Sequence, residues 1–330
     1  MNVIFLIPTG LGAPIGGHAG DATPAARLVG AACTTLIVHP NVVNAADINE
    51  MPSNSWYVTG ATIDDLMQGY IGLAPVHANR VAVLVNRPVP AEVVNLVSAA
   101  RASFGMEAFV VGLPHELIMK AHFTSEGAAS GTIEGADLAI EHLENLGEVF
   151  DAVAILTRVQ VSEDDFFNYV QKAEVNPWGG VEARLSRIMT DALKVPCAHA
   201  PFGHTVVDFN EIVDPRLAAE MISETYGFCI LKGLHKAPMI VDKNNGMNVD
   251  HIQALVTPEG CYGVSHIECV KRDIPIISVV ENTVLIRNDT PYPRTQVHNY
   301  MEAAGAILAL KEGIFMESLR RPLLPTKIFD

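Results

Sequence analysis

Glu182 and Arg184 follow two adjacent glycines in NPWGGVEARLSR, residues 176–187, and this pattern suits acid–base chemistry on an anion. A glycine pair at the start of a helix leaves backbone N–H groups open to a ligand, so we expect Gly180 to bind the anion. Arg184 would clamp a carboxylate or phosphate group. Glu182 would act as the general base, and complementing the helix dipole is its alternative role.

Five glycines lie within eleven residues at the start of GLGAPIGGHAGDATPAAR, residues 10–27. Their spacing excludes a dinucleotide fingerprint, because Ile15 stands where the third glycine is required. It also excludes a P-loop, because His18 and Ala19 replace the lysine and the hydroxyl residue. The remaining prediction is a glycine-rich loop that binds a small anion, with His18 as a proton carrier. Its expected binding residues are Gly12, Gly16, Gly17 and Asp21.

Two further segments combine histidine with amide or acidic side chains. In HPNVVNAADINEMP, residues 39–52, we expect Asn41 and Asn44 to hydrogen-bond the substrate, although turn formation also favours asparagine. In CAHAPFGHTVVD, residues 197–208, we expect His204 to move protons. His199, His204 and Asp208 would also be compatible with a metal ion, but they match no zinc pattern, and no metal ligand is assigned.

Polar residues at two other predicted strand ends complete the candidate site. Lys236 lies in the basic segment LKGLHKAPMIVD after the predicted strand YGFCIL, where it would hold an anionic group. Glu281 and Asn282, in VVENTV, would point into the same cleft. A solvated loop and a solvent-facing strand end are the alternatives for these two segments.

Apolar runs alternate with helical patterns along the chain, and this order must position those residues. The predicted strands are NVIFLIP, TTLIVHP, SWYVTG, RVAVLVN, EAFVVGLP, FDAVAILTRV, YGFCILKGL, IQALVTPE and IPIISVVEN. The predicted helices are PAARLVGAA, IDDLMQGYI, PAEVVNLVSAARASFG, SEDDFFNYVQKAE, GGVEARLSRIMTDAL and HNYMEAAGAILALKEGIF. Continuous apolar strands that alternate with helices are typical of an α/β fold with mostly parallel sheets.

We expect two Rossmann-like halves with the candidate residues in a cleft between them. The N-terminal domain would span residues 1–145 with the glycine-rich loop, and the C-terminal domain residues 146–330. The boundary follows the soft stretch of residues 116–135, which is rich in Gly, Ser and Thr. The C-terminal tail RRPLLPTKIFD would pack across the body.

Composition excludes several classes of function. The 330 residues carry a formal net charge of −15 without a basic stripe, which argues against nucleic-acid binding. No apolar run is long enough to suggest a membrane span, and the first residues show no signal-peptide pattern. The five cysteines form no C-x-x-C pair and suit buried free thiols. We therefore expect a cytoplasmic protein, and helices rich in Ala and Val suggest a homo-oligomer.

Two resemblances to known families add to these observations. GGH at residues 16–18 and PEGCYGVSHIECVKRDIPIISV at residues 258–279 loosely resemble segments of glycosyltransferases with two Rossmann-like domains. That resemblance implies that Glu268 binds the ribose of a nucleotide sugar. The strings IPTGLGAPIGGHAGDATPAARLV, HPNVVNAADIN, NPWGGVEARLS, AHAPFGH and VVEN resemble, over nearly the whole chain, a bacterial family known only as a domain of unknown function. This family is common in phototrophic bacteria and implies no reaction.

Three functions are therefore compatible with the sequence. The leading hypothesis is an enzyme that acts on a small anionic metabolite, a carboxylate or a phosphate. The second is a nucleotide-sugar transferase or epimerase, and the third is a non-catalytic metabolite sensor or an assembly subunit. The residue pattern assigns no cofactor to any of them.

Overall fold

The structure is a computed structural model that describes residues 1–44, 48–172, 174–201 and 226–329. Its strands are β1 (Asn2–Phe5), β2 (Thr35–Val38), β3 (Ser55–Tyr57), β4 (Ile71–Ala74), β5 (Arg80–Asn86), β6 (Glu107–Leu113), β7 (Ile118–Phe123), β8 (Ala129–Glu134), β9 (Ala152–Thr157), β10 (Val159–Gln160), β11 (Cys197–Pro201), β12 (Met239–Asp242), β13 (Ile252–Pro258), β14 (Ile276–Val279) and β15 (Thr295–Val297). Its helices are α1 (Thr23–Ala31), α2 (Pro40–Val43), α3 (Gly60–Met67), α4 (Ala91–Phe104), α5 (Ala136–Glu144), α6 (Glu163–Lys172), α7 (Gly179–Leu193), α8 (Tyr226–His235), α9 (Val264–Lys271) and α10 (Tyr300–Lys311).

Six parallel strands form the larger sheet, in the order β15-β14-β13-β1-β2-β3. Three strands come from the beginning of the chain and three from its end. Counted along the chain, this is the strand order of a dinucleotide-binding fold, and the order reverses between β1 and β13. In open α/β sheets, ligands bind beyond the C-terminal strand ends at such a reversal. The topology therefore directs attention to the segments that follow β1 and β13.

Four parallel strands form a second sheet, in the order β11-β9-β5-β6, and lie in sequence between the two parts of the first. Strand β9 is buried at every position, as expected for a parallel strand covered on both faces. Two antiparallel pairs complete the sheet structure: the hairpin β7–β8, which β10 extends, and the pair β4–β12.

The predicted α/β fold with mostly parallel sheets is confirmed. The two halves divided at residues 145 and 146 stay a prediction, and this position does not separate the two sheets, because the first sheet draws strands from both ends of the chain. The soft stretch of residues 116–135 contains the hairpin β7–β8. The tail, predicted to pack across the body, is exposed throughout residues 321–329.

The prediction of a strand at YGFCILKGL is wrong, because this segment is helix α8. A continuous apolar run is compatible with a buried strand and with a buried helix. Helix α8 contacts α4, β9 and β11, and Cys229, Ile230, Leu231 and Leu234 are buried there. The run is apolar because the helix is enclosed on several sides, so its sequence lacks the polar face of a surface helix.

Candidate functional site

A cavity of about 380 Å³ opens at the C-terminal ends of β1, β2, β3 and β13. The segments that follow these strands line one side of it, with Thr9, Asn41, Thr59 and Gly263 as one representative of each. Residues of α7, β11 and α8 line the opposite side. The cavity therefore lies at the strand-order reversal of the first sheet and is closed by elements of the second.

Three helices direct their first turns at this cavity. Gly60 and Ala61 of α3, Gly179 of α7, and Val264 and Ser265 of α9 all line it. The first N–H groups of a helix lack partners within the helix, and they carry the positive end of its dipole. Three such ends around one cavity favour a ligand with negative charge.

The carboxylate of Glu182 is held in this cavity by a buried histidine. Nδ1 of His199 lies 3.0 Å from Oε1 of Glu182, and the His199 side chain is fully buried. On the other side of the ring, Nε2 of His199 lies 3.0 Å from the carbonyl oxygen of Thr157 and 3.1 Å from its hydroxyl. Strands β9 and β11, which are paired, supply Thr157 and His199, while α7 supplies Glu182.

Both ring nitrogens of His199 have a hydrogen-bond partner whether the ring carries one proton or two. With two ring protons, Nε2 donates to the Thr157 carbonyl oxygen and Nδ1 donates to Glu182. With one, the Thr157 hydroxyl donates to Nε2, and Nδ1 still donates to Glu182. The Glu182–His199 pair is therefore suited to taking up and releasing a proton at the wall of the cavity.

A second carboxyl group, that of Asp64, joins three helices at the cavity. Nη2 of Arg187 on α7 donates to Oδ2 of Asp64 on α3 over 2.6 Å, and Oγ of Ser265 on α9 donates to Oδ1 over 2.9 Å. Burial raises the pKa of the Asp64 carboxyl above its ordinary value, although the bonds from Ser265 and Arg187 act in the opposite direction. Asp64 therefore keeps its proton to higher pH than an exposed aspartate.

His39 is a neutral hydrogen-bond donor on the cavity wall. Its Nδ1 accepts the backbone N–H of Asn41 over 3.2 Å, so the ring proton resides on Nε2. Burial lowers the pKa of His39 to about 4, so the ring is uncharged at neutral pH. A Cβ added to Gly60 would lie 3.1 Å from Nε2, which places that nitrogen against the first residue of α3.

The glycine-rich loop uses several of its backbone N–H groups inside the protein. The N–H of Ile15 donates to Oδ1 of Asn282, that of Gly16 to Oδ1 of Asp21, and that of Gly17 to the Ala13 carbonyl oxygen. Gly12 and Gly16 adopt positive φ, which other residues rarely do. A Cβ on Gly16 would come within 2.6 Å of the carbonyl oxygen of Asn41. These glycines therefore serve turns and close packing, and anion binding by them stays a prediction.

A smaller cavity of about 80 Å³ adjoins the first and collects another part of the predicted site. Its lining includes Gly17, His18, Asn41, Asn44, Glu182 and His199. His18 is buried and stacks on Tyr169 with 5.9 Å between ring centroids. Its carbonyl oxygen accepts the side-chain amide of Asn176 over 3.0 Å. The structure therefore brings the predicted proton carriers His18 and Glu182 to the wall of one small polar cavity.

Arg184 also lines the larger cavity and donates from Nη1 to the Gly131 carbonyl oxygen of β8.

Other predicted residues lie outside the described lining of both cavities: Gly12, Gly16, Asp21, Gly180, Lys236, Glu268, Glu281 and Asn282. Lys236 directly follows the C-terminus of α8, and Glu281 accepts the backbone N–H of Tyr300. Glu268, the expected ribose ligand, pairs with Lys271 and Arg272 of its own helix segment. His204 and Asp208 lie outside the described residues.

Sequence reasoning missed Asp64 and Arg187, and it did not assign His39 and His199 to the site. Asp64 lies in the helix that follows the third strand, so the rule that placed Asn41 beyond the second strand could have found it. His199 was considered only as part of a metal set with His204 and Asp208, because no strand was predicted where β11 lies. Among the described residues, no group of three or more metal-binding side chains is assembled.

Burial of His266 makes the stability of the protein depend on pH. Its Nδ1 accepts the Gly263 N–H over 3.2 Å, Nε2 lies 3.2 Å from the Thr257 hydroxyl, and burial lowers its pKa to about 4. As the pH falls, the unfolded chain, whose histidine has an ordinary pKa near 6.5, takes up the proton first. The contribution of His266 to the free energy of unfolding is therefore fully present above pH ~6.5 and is lost progressively toward pH ~4. His39 acts in the same direction, and each group contributes about 1.4 kcal/mol per pH unit within this window.

We expect His266→Gln to lower the pH dependence of the free energy of unfolding by the contribution of one proton, about 1.4 kcal/mol per pH unit. Stability at pH 7.5 should change little, because glutamine serves equally at this position of a capping box. Urea unfolding at pH 7.5, 6 and 5 measures the slope. The matched control is His251→Gln, since exposed His251 makes the corresponding contact with the Asn248 N–H. Equal slope changes in the two variants would contradict burial of His266 as the cause.

Comparisons with known proteins place these features in a family. A family model described as "Protein of unknown function (DUF3326)" matches residues 2–320. An uncharacterized lipoprotein of a Synechococcus species is 31% identical over 337 residues, covering 95% of this chain and 92% of the relative. No solved structure matches the chain. The expected family of phototrophic bacteria is confirmed, whereas the glycosyltransferase resemblance finds no support among these matches.

The relative's name corrects one prediction. A protein named a lipoprotein contradicts the expected cytoplasmic location, so that prediction is wrong. The sequence reasoning relied on the absence of a signal-peptide pattern, which gives no information about lipid attachment in relatives. Within the described ranges, every helix is too short or too polar to cross a bilayer.

Proposed function

The chain belongs to the family described as protein of unknown function (DUF3326), and from that premise we propose that its 380 Å³ cavity binds a small carboxylate or phosphate metabolite and transfers a proton on it. The observation that carries this proposal is the Glu182–His199 pair at the wall of a cavity that receives three helix N-termini. Anion binding and a positioned base are the two requirements of such chemistry.

The anionic group of the ligand would face the first turns of α3 and α9. N–H groups at a helix start bind carboxylates and phosphates, and two arginines of α7, Arg184 and Arg187, add positive charge to the same cavity. Arg187 is already paired with Asp64. The described bond of Arg184 goes to a neutral carbonyl oxygen, that of Gly131, so Arg184 is the side chain assigned to the ligand.

Glu182 would accept the proton. His199 orients its carboxylate, and Thr157 holds the His199 ring from the opposite side. Negative charge that develops on the ligand would be stabilised by the Nε2–H of neutral His39 and by the helix N-termini. Asp64 is the second carboxyl group in the cavity, and burial raises its pKa above the ordinary value.

Thermal denaturation of the full chain with phosphate, malonate or citrate tests the binding part of this proposal. An anion at about 100 times its Kd should stabilise the fold by about 2.7 kcal/mol. Ala183→Trp, which introduces an indole into the cavity wall on α7, should abolish the shift in melting temperature. Ala99→Trp, at an exposed site on α4, is the matched control and should retain it. Equal shifts in both variants would mean that these anions act elsewhere.

Proton transfer is tested separately, by deuterium exchange into bound 2-oxo and 2-hydroxy carboxylates in D₂O, followed by NMR. Glu182→Gln should keep binding and lose exchange by a factor of about 10²–10⁴. Binding without any exchange in the wild type would contradict the catalytic role and favour a metabolite sensor.

A further inference from the structure

Residues 317–329, here called the arm, leave the body with their apolar side chains in solvent. Five large apolar side chains of the arm are between 58% and 89% exposed: Leu319, Leu323, Leu324, Ile328 and Phe329. Just before the arm, Met316 packs against the main core. Soluble monomers rarely expose so many neighbouring apolar groups, so a surface of this kind indicates an interface.

The described hydrogen bonds of the arm are all local. The N–H of Arg320 donates to the Glu317 carbonyl oxygen, and Nη1 of Arg321 donates to the carbonyl oxygens of Ser318 and Arg320. Ser318 also donates from its N–H and its hydroxyl to the Phe315 carbonyl oxygen, so the described contacts of the arm stay within a few residues of its start. Its exposed apolar side chains are therefore available for contacts with another molecule.

Helix α10 exposes a complementary stripe. Met301 and Leu308 are 69% and 45% exposed, and their spacing of seven residues puts them on one side of the helix. Exposed Glu312 continues this side, and exposed Glu302 flanks it. The opposite side of α10 contacts α1 and β14, so the stripe faces outward. We call Met301, Leu308 and Glu312 the α10 stripe.

The charges of the arm fit such a surface. Three basic residues of the arm, Arg320, Arg321 and Lys327, outnumber its one acidic residue, Glu317, whereas the whole chain has a formal net charge of −15. Apolar side chains of the arm would meet Met301 and Leu308. Its basic side chains would meet Glu302 and Glu312, which outnumber Lys311 on this surface. Complementary charges of this kind set the register of an interface.

We propose that two copies of the chain exchange their arms, each arm lying on the α10 stripe of its partner. A two-fold interface uses the same surface on both subunits, so a single arm and a single stripe per chain are sufficient. Stable interfaces use roughly 20–30 residues a side. An arm of 13 residues together with the surroundings of the stripe approaches that number on each copy. The proposal does not depend on the function of the cavity.

Sedimentation velocity and light scattering of the full chain test this arrangement. The wild type should have twice the chain mass of 35.5 kDa. An arm variant with serine at Leu323, Leu324, Ile328 and Phe329 should dimerise at least about tenfold more weakly, as should a stripe variant, Met301→Glu with Leu308→Glu. The matched control is Tyr70→Ser with Val149→Ser, because these side chains are equally exposed elsewhere, and it should remain dimeric.

Mixing the two variants separates arm exchange from other contacts. The arm variant retains its stripe and the stripe variant retains its arm, so their mixture should form heterodimers through one of the two contacts. Each variant alone retains neither contact. A monomeric wild type, a dimeric arm variant, or a mixture that stays monomeric would overturn the proposal. So would a monomeric wild type that sediments with vesicles of anionic phospholipid through its arm.

Discussion

Gly180→Ala is expected to destabilise the protein by about 3 kcal/mol, although alanine is the better helix former. A Cβ at this position would overlap the backbone carbonyl of Ala129 and come within 2.6 Å of the Ser130 N atom. These are backbone atoms of the hairpin β7–β8, so no side-chain rotation relieves the overlap. Either α7 or the hairpin must shift.

The matched control is Gly305→Ala in α10, where an added Cβ would meet nothing within 4 Å in its own chain. Gly305 lies between Met301 and Leu308 on the α10 stripe, so both substitutions are made in the arm variant. Gly305→Ala should stabilise the protein by about 0.5–1 kcal/mol, because glycine costs that much inside an exposed helix. Urea unfolding at equal protein concentration measures both variants. Equal effects of the two substitutions would contradict the close contact between α7 and the hairpin.

Asn282→Ala is expected to cost about 2–4 kcal/mol, because one fully buried side chain holds three groups. Its Oδ1 accepts the Ile15 N–H over 2.7 Å, and its Nδ2 donates to the Ile15 carbonyl oxygen and to the Tyr300 hydroxyl. Alanine would leave these groups without partners. Hydrogen exchange at Ile15 should accelerate along with the loss of stability.

Asn145→Ala provides the comparison, since exposed Asn145 donates one side-chain bond, to the Glu141 carbonyl oxygen, within a helix end. It should change stability by less than about 0.5 kcal/mol. If Asn282→Ala is equally mild and leaves exchange at Ile15 unchanged, Asn282 does not hold the glycine-rich loop. Asn282 was predicted to point into the cleft, whereas its observed contacts connect the glycine-rich loop at Ile15 to Tyr300 of α10.

Local patterns predicted most of the elements. RVAVLVN coincides with β5 and GGVEARLSRIMTDAL with α7, because strand and helix periodicities differ clearly there. Helix α8 was missed because enclosure on several sides removed its polar face. The six-stranded sheet was also beyond local reasoning, since nothing in a local pattern shows that β13 pairs with β1 across about 250 residues.

In the candidate site, too, local patterns predicted some residues, whereas only the fold brings the others together. Glu182 was predicted from its place in the first turn of a helix, which is a local feature. The cluster of Asp64, Arg187 and Ser265 joins three distant parts of the chain, and only the fold brings them within hydrogen-bond distance. Gly180 was predicted to bind an anion, yet its contact with Ala129 explains a glycine there by packing alone.

Anomalous difference density for selenate, a tetrahedral dianion, in crystals of the full chain would show whether the cavity binds an anion. We expect the strongest peak in the cavity, within hydrogen-bond distance of the first turns of α3 and α9. That peak should be absent from crystals of Ala183→Trp. Peaks only on other surfaces, or a cavity peak unchanged in Ala183→Trp, would contradict an anion site formed by these helix N-termini.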